Sequence, residues 1–573
     1  MDRNTVIRWV VIAVAVILLL KFGPTSCKSE TAQSLPPETY TNAPGFVPDA
    51  LDPPVVEGTV NRPPEGELCK ISGQRFDAEL STRGAALTHF RLHDGQYAVP
   101  GDLVTTTHER WRSLRTLFRA EGAGDQVPFD RFDWKLERMP GDTGCIFTYA
   151  TDSVALTKTV TTTSRPFELA VETRVKNLAA APKRHRLEIG MHEFRRLHEV
   201  KGSLGKISPF LTELSCARGG DVTRSAKDDF KDGWHRVEGA NRYASVNNGY
   251  FALALLVEGG DPTCSILAED WLERGQSRDD DNAGTIYHAN LAYPARELGP
   301  GAEALYRQTA FLGPKERPVL ARAGGGAPEL GDTINLGFFS PVAKVLVTIL
   351  NFFHGKIGNW GLSIICMTLA IRLVLFPLQY KSIKSALEMR KLRPEMDALT
   401  KKFGDDAQAK NLAMMELYKK RGVNPLGGCL PQLVQMPVWF AMYTTLQTAV
   451  EVYHTKFLWF ADLSAPDRFY IQPLLLGGMM IVQQKIMPPQ PGMDPMQQKM
   501  MTWLMPIIFT VMMLFLPAAL GIYSMTNSAL FIVQQLAVER IAAKYGIPSA
   551  SDAKKGSEKK APLADETRQV RGG

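Results

Sequence analysis

Hydrophobic and polar positions follow two different rhythms along this chain. From Leu68 to about Gly325 the apolar residues come in short alternating runs, such as CKISGQRFDAEL, CIFTYATDSVALTKTVTTTS, FELAVETRVKNL and HRLEIGMHEF, each bounded by Gly, Pro, Asp or Asn. Alternation with period two between turn residues predicts strands, and their number predicts a large all-β domain, a sandwich, over 65–330. Beyond residue 336 the rhythm changes to long apolar runs. Residues 358–379, 427–448, 470–487, 501–516 and 519–538 are candidate membrane helices, the last two joined by little more than Pro517-Ala518 and so expected to form a tight hairpin on the outer side.

The flanking segments carry their own signals. Within 336–356, Ser340, Lys344, Thr348 and Asn351 recur at helical spacing among Val, Leu, Ile and Phe, which predicts an amphipathic helix in the membrane interface, with a true span as the competing reading. Arg3 and Arg8 precede the apolar run Trp9 to Leu20 with no small-x-small site after it, so residues 1–27 read as an uncleaved anchor; Ser26-Cys27 leaves lipid modification open. Eight prolines in 35–64 predict an extended tether over 28–64. The loop between the second and third spans holds eleven Lys and Arg residues, which places it in the cytoplasm, puts both termini inside and leaves the β domain outside. In that loop Leu392, Met396, Leu399 and Phe403 mark one helix face, Gly404 breaks it, and Asp405 or Asp406 can cap a second helix ending at Arg421-Gly422. A helical hairpin over 380–422 is the result.

Composition narrows the chemistry. Eighteen of the 21 methionines follow position 366, and Met436, Met442, Met512 and Met513 are candidates for an adaptable apolar face along which varied sequences could slide, simple helix packing being the competing reading. The seven cysteines show no CxxC pair and demand no disulfide; Cys366 and Cys429 read as small buried hydrophobes. HEFRRLH separates its histidines by six positions, not the four of a zinc-binding helix face, and neither GxxxxGK[ST] nor GxSxG occurs. No metal, no cofactor and no enzymatic reaction is expected. The spans also lack Asp and Glu, which argues against a proton- or sodium-coupled transporter.

One charge stands out. Arg372 lies in the run GLSIICMTLAIRLVLFPLQ with no acidic residue to pair with it, and an arginine at the centre of a span costs about 2.5–3.5 kcal/mol on insertion scales. Thr368 shares its helix face. By depth, Gln432 and Gln435 of the third span lie near the level of Arg372 in the inner half, while Tyr523, Thr526 and Asn527 of the sixth lie in its outer half and middle. Two readings account for the charge: a side chain that snorkels to the cytoplasmic surface about 12 Å away, or a hydrated groove open to the cytoplasm and closed above.

The segments NWGLSIICMTLAIRLVLFPL, GDDAQAKNLAMMELYKKRGVNPLGGCLPQLVQMPVWFAMY, DPMQQKMMTWLMPIIFTV and LGIYSMTNSALFIVQQ resemble the YidC/Oxa family of membrane protein insertases, in its bacterial form with a large periplasmic domain. The resemblance is dense over about 335–545 and weak in the outer domain. It implies six spans, one N-terminal anchor plus a five-helix core over 358–545, and a periplasmic β-supersandwich, with residues about 28–335 in the periplasm of a bacterial cell and the core in its inner membrane. It implies a protein that inserts and helps fold nascent membrane proteins, alone or with the Sec translocon (SecYEG and SecDF), without ATP hydrolysis and without a nucleic-acid substrate. Arg372 then matches the groove arginine, and Thr368 and Tyr523 match positions facing the entering helix. The basic hairpin at 380–422 and the tail at 546–573 correspond to regions that meet substrate and ribosome, with membrane lipid around the core. A chaperone or assembly scaffold acting after insertion is the second reading.

Overall fold

The computed structural model describes residues 66–97, 101–106, 111–120, 133–200, 211–271, 283–326, 328–403, 406–422, 430–486 and 495–544. The expected anchor at 1–27, tether at 28–64 and tail at 546–573 lie outside the described residues, as does Cys429.

Strands form where the alternation predicts them, between Leu68 and Pro314. A nine-stranded antiparallel sheet runs in the order Asp221–Ala226, Glu213–Arg218, Asn241–Asn247, Phe251–Val257, Glu303–Pro314, Glu168–Asn177, Val154–Thr162, Gly144–Ala150, Lys135–Arg138. A six-stranded sheet contains His235–Val237, Thr263–Trp271, Gly284–Ala292, Lys183–Arg196 and Arg296–Leu298, with Thr116–Ala120 also paired to Lys183–Arg196. Three N-terminal strands, Leu68–Ser72, Phe76–Ser81 and Ala86–Leu92, make a small third sheet. Since His192 and Glu193 fall on a strand, they point to opposite faces. His192 meets His288 at 2.9 Å, while Glu193 pairs with Arg195.

The cysteines correct the sequence reading. Cys69 bonds Cys145 and Cys216 bonds Cys264, each bridge joining strands of two different sheets. Because the partners are 76 and 48 residues apart, spacing alone could not reveal them. Cross-links of this kind belong to an oxidising compartment and typically contribute about 2–4 kcal/mol. Cys366 is free and only half-buried, not the buried hydrophobe expected.

Along Val154–Thr162 the inward positions are Val154, Leu156, Lys158 and Val160, so period-two geometry carries a lysine into the core. Its ammonium donates to the Ala85 carbonyl at 2.8 Å, to Thr116 Oγ1 at 2.9 Å and to the Leu114 carbonyl. Burial pushes its pKa down to about 7, while three oxygens match the three donors of the charged form.

The C-terminal half is helical: α1 (Ser340–Ile357), α2 (Trp360–Lys391), α3 (Arg393–Phe403), α4 (Ala407–Arg421), α5 (Leu430–Thr448), α6 (Ile471–Ile486), α7 (Pro495–Met513) and α8 (Ala518–Lys544). Helix α1 buries Ala343, Leu346, Val347 and Leu350, keeps Lys344 and Thr348 exposed, and ends at left-handed Gly358. Among the described residues, Trp360–Tyr380 of α2 is the one segment that meets length and hydropathy criteria for a span, at a mean hydropathy of 2.1. The cytoplasmic hairpin expected from residue 380 begins later, because Ser, Lys, Ala, Leu, Glu and Met carry α2 unbroken to Lys391 before α3 opens with Arg393-Pro394. Asp406 caps α4 by accepting from the Gln408 and Ala409 amides, Gly422 ends it with φ 66°, and Leu392, Met396 and Met414 form a small core between α3 and α4.

The two halves share one hydrophobic core. Gln96 Nε2 donates to the Val450 and Glu451 carbonyls just past α5, and Tyr453 lies beside Tyr250, Phe251 and Tyr97. Tyr97 also donates to Glu316 at 2.9 Å, and Arg75 holds both oxygens of Glu316 at 2.8 and 2.9 Å. A side chain at Gly361 would put its Cβ 2.2 Å from the Phe457 ring, so glycine lets the 449–470 loop lie against α2.

Replacing Lys158 with Met leaves two carbonyls and a hydroxyl buried without a donor. The expected loss is about 3 kcal/mol of β-domain stability, read from urea unfolding followed by tryptophan fluorescence; an unchanged midpoint would contradict the role assigned to Lys158.

Candidate functional site

Helix α8 organises the polar residues of the helical core. Tyr523 and Asn527 are four residues apart and share a face. On one side Arg372 of α2 donates from Nε to Asn527 Oδ1 at 2.8 Å and from an Nη to the Asn527 carbonyl at 3.1 Å. On the other, Gln435 of α5 donates to the Tyr523 hydroxyl at 3.0 Å. Four expected site residues from three helices thus meet in one cluster.

Arg372 is not unpartnered, as the sequence suggested. It is half-buried and held by a neutral amide, while no carboxylate among the described residues pairs with it. A charged donor bonded to a neutral acceptor keeps its charge uncompensated.

The remaining expected residues are placed differently. Thr368 is buried and spends its hydroxyl on the Ile364 carbonyl at 2.7 Å; Thr526, half-buried, does the same with Ile522 at 2.8 Å. The side chain of Gln432 lies outside the described residues. The methionine face needs correction. Met442 and Met513 are buried in the core, Met512 packs half-buried against it, and only Met436 is exposed, because an unbranched thioether fills gaps between helices as readily as it lines a surface.

Two glutamines escaped the sequence reading. Gln472 of α6 is buried and donates to the Ala518 carbonyl at 2.9 Å, and Gln483 donates to the Ser528 carbonyl at 3.0 Å. Their separation of about three helical turns puts them on one face, a signal present in the sequence. Gly521 makes room: a Cβ there would come within 2.2 Å of the Gln472 amide.

Comparison with known proteins decides the family. The description "YidC periplasmic domain" matches residues 68–349 and "60Kd inner membrane protein" matches residues 352–545. The membrane protein insertase YidC of Anaeromyxobacter sp. (strain K) is 35% identical over 481 residues, covering 82% of this chain and 84% of that relative. The chain belongs to the YidC family of membrane protein insertases. YidC of Shewanella pealeana is 31% identical over 528 residues, 88% of this chain and 91% of its own length. A crystal structure of an active YidC insertase with its first transmembrane domain resolved aligns over 92% of this chain and 99% of its own, at 17% identity and a TM-score of 0.35. As in the YidC family at large, the β domain is the periplasmic domain and the helices form the insertase core, in the bacterial inner membrane.

The cluster predicts graded stability losses. Tyr523→Phe removes one neutral hydrogen bond and is expected to cost about 1 kcal/mol; Asn527→Leu strips the guanidinium of its side-chain acceptor and is expected to cost about 3 kcal/mol. Thermal unfolding in detergent ranks the two, and the reverse order would refute the bonding described.

Proposed function

We propose that this insertase passes the hydrophilic segment of a nascent membrane protein through a wet groove bounded by α2, α5 and α8, open to the cytoplasm, with Arg372 as its charged element and Thr368, Gln432, Gln435, Tyr523, Thr526 and Asn527 near its wall. The observation that carries this is the hold on Arg372: a neutral amide stands where a carboxylate would bind more strongly. A carboxylate of the entering segment displaces Asn527, takes the guanidinium fork, and then yields it back as the segment moves on. An acidic residue built into the chain at that place would bind too firmly to be displaced. The substrate's apolar helix meanwhile leaves sideways into lipid, past exposed residues such as Leu373, Val374 and Met436.

The topology follows from the same reading. The anchor and the five helices α2, α5, α6, α7 and α8 make six spans, with α1 in the interface, both termini and the α3–α4 hairpin in the cytoplasm and a β-supersandwich in the periplasm. The two disulfides support that side for the β domain. The basic residues of the hairpin, with those of the tail, suit contact with the ribosome, and the periplasmic face suits the Sec translocon.

Arg372→Ala is expected to reduce insertion of substrates with acidic exported segments about tenfold, equivalent to about 1.4 kcal/mol of lost binding, and to change neutral substrates little. Asn527→Asp, which supplies an internal carboxylate, should reproduce that selectivity. Protease protection in proteoliposomes containing only this chain measures both. Equal insertion of acidic and neutral substrates by Arg372→Ala would remove charge pairing from the mechanism, and no translocation by the unaltered chain would favour the scaffold reading.

A further inference from the structure

The connection between α5 and α6 keeps one side in the protein and leaves the other bare. Phe457, Phe460 and Leu463 are buried in the shared core, whereas Leu458 is 74% exposed, Phe469 61% and Tyr470 55%. Leu458 and Trp459 form the tip of a two-residue hairpin, closed where the Phe457 and Phe460 amides donate to each other's carbonyls at 3.0 and 2.9 Å. Leu458 has a φ of 51°, a left-handed value that such tips ordinarily give to Gly, Asn or Asp, and Tyr470, just before α6, has a φ of 57°. A bulky residue persists in that region only where its surroundings hold it there. Two large side chains are thus held outward at positions that glycine would fill without strain.

The hairpin tip and the start of α6 form one surface. Buried Asp467 accepts the Phe469 amide on Oδ1 at 3.1 Å and the Gln472 amide on Oδ2 at 2.7 Å, and Oδ2 also accepts the Trp459 indole N–H at 3.5 Å. Asp462 does the same for the His454 and Ser464 amides, at 2.9 and 2.8 Å. Main-chain donors that would otherwise need water are therefore satisfied within the loop, which suits it to a poorly hydrated place. From Leu458, Trp459, Phe469 and Tyr470 the exposed apolar surface runs on into Ile471 and Leu474 of α6. That helix is short: its 16 residues reach about 24 Å at 1.5 Å per residue, against a hydrocarbon core of about 30 Å. Its last turn carries Lys485, while at its outer end the apolar surface continues through the loop.

We propose that the loop 457–470 is a wedge that inserts Leu458, Trp459, Phe469 and Tyr470 into the lipid of the outer leaflet and so completes the short span α6. It rests on the topology given above, in which α6 begins on the periplasmic side. Trp and Tyr suit the boundary between headgroups and acyl chains. Exposed Lys456 and Arg468, which flank the apolar residues in sequence, reach the level of the headgroup phosphates, a border that lipid rewards and a purely apolar protein partner does not. Because Phe457 lies against Gly361, the wedge ties the depth of α2 to that of α6.

The test uses the full chain in liposomes, with Cys27, Cys366 and Cys429 replaced by serine and both disulfides intact. A nitroxide is attached at Leu458→Cys or Tyr470→Cys in the wedge, at Leu373→Cys or Leu474→Cys as lipid-facing references on α2 and α6, or at Leu305→Cys as a reference on the β domain, all of them exposed positions. Its collisions with oxygen, which concentrates in lipid, are compared with those of a water-soluble nickel chelate. The oxygen-to-nickel ratio at 458 and 470 is expected to lie well above that at 305 and near that at 373, and to rise further in lipids with longer acyl chains, which bring the leaflet up around the wedge. If 458 and 470 match 305 while 373 and 474 stay in lipid, the bilayer thins to meet α6 alone and the wedge is overturned. Shielding of 458 and 470 from both reagents would mean that a protein partner or a second copy covers the patch, which also overturns it. If 373 and 474 match 305 as well, the topology and the wedge fall together.

Discussion

Within a bilayer no water completes an unmade hydrogen bond, and this one constraint orders the helical half of the protein. Arg372 is tolerable because Asn527 offers it two acceptors, one from the side chain and one from the backbone. Gln435, Gln472 and Gln483 each find an oxygen on or just beside α8, at Tyr523, Ala518 and Ser528. Helix α8 therefore serves as the acceptor for α2, α5 and α6 together. Removing the bond of buried Gln472 strands its donor in a place where stranding is expensive.

For the groove proposed above, an uncharged partner suits Arg372. In that proposal a carboxylate beside Arg372 would satisfy the charge fully and leave nothing for a passenger to gain. An amide satisfies the geometry and leaves the charge uncompensated. The β domain faces no such limit, so its buried lysine is answered by main-chain oxygens and its three sheets are tied by disulfides. Its attachment to the helices runs through Gln96, Tyr97 and Tyr453.

Patterns of period two and long apolar runs determined much of this by themselves. The boundary near residue 330, the strand-rich first half, the capped helix after Asp406 and the singularity of Arg372 are all local signals, written in spacing and composition. Even the resemblance to the insertase family rests on contiguous text. Tertiary structure decided what depends on residues far apart in the chain: that Cys69 meets Cys145, that Lys158 lies inward and finds three oxygens, that Asn527 occupies the guanidinium of Arg372, and that Met442 and Met513 turn into the core instead of lining a path. Helix phase can be read from sequence to within a face, but which neighbour that face meets is set by packing, and hydrogen-bond partners are chosen only once the neighbours are in place.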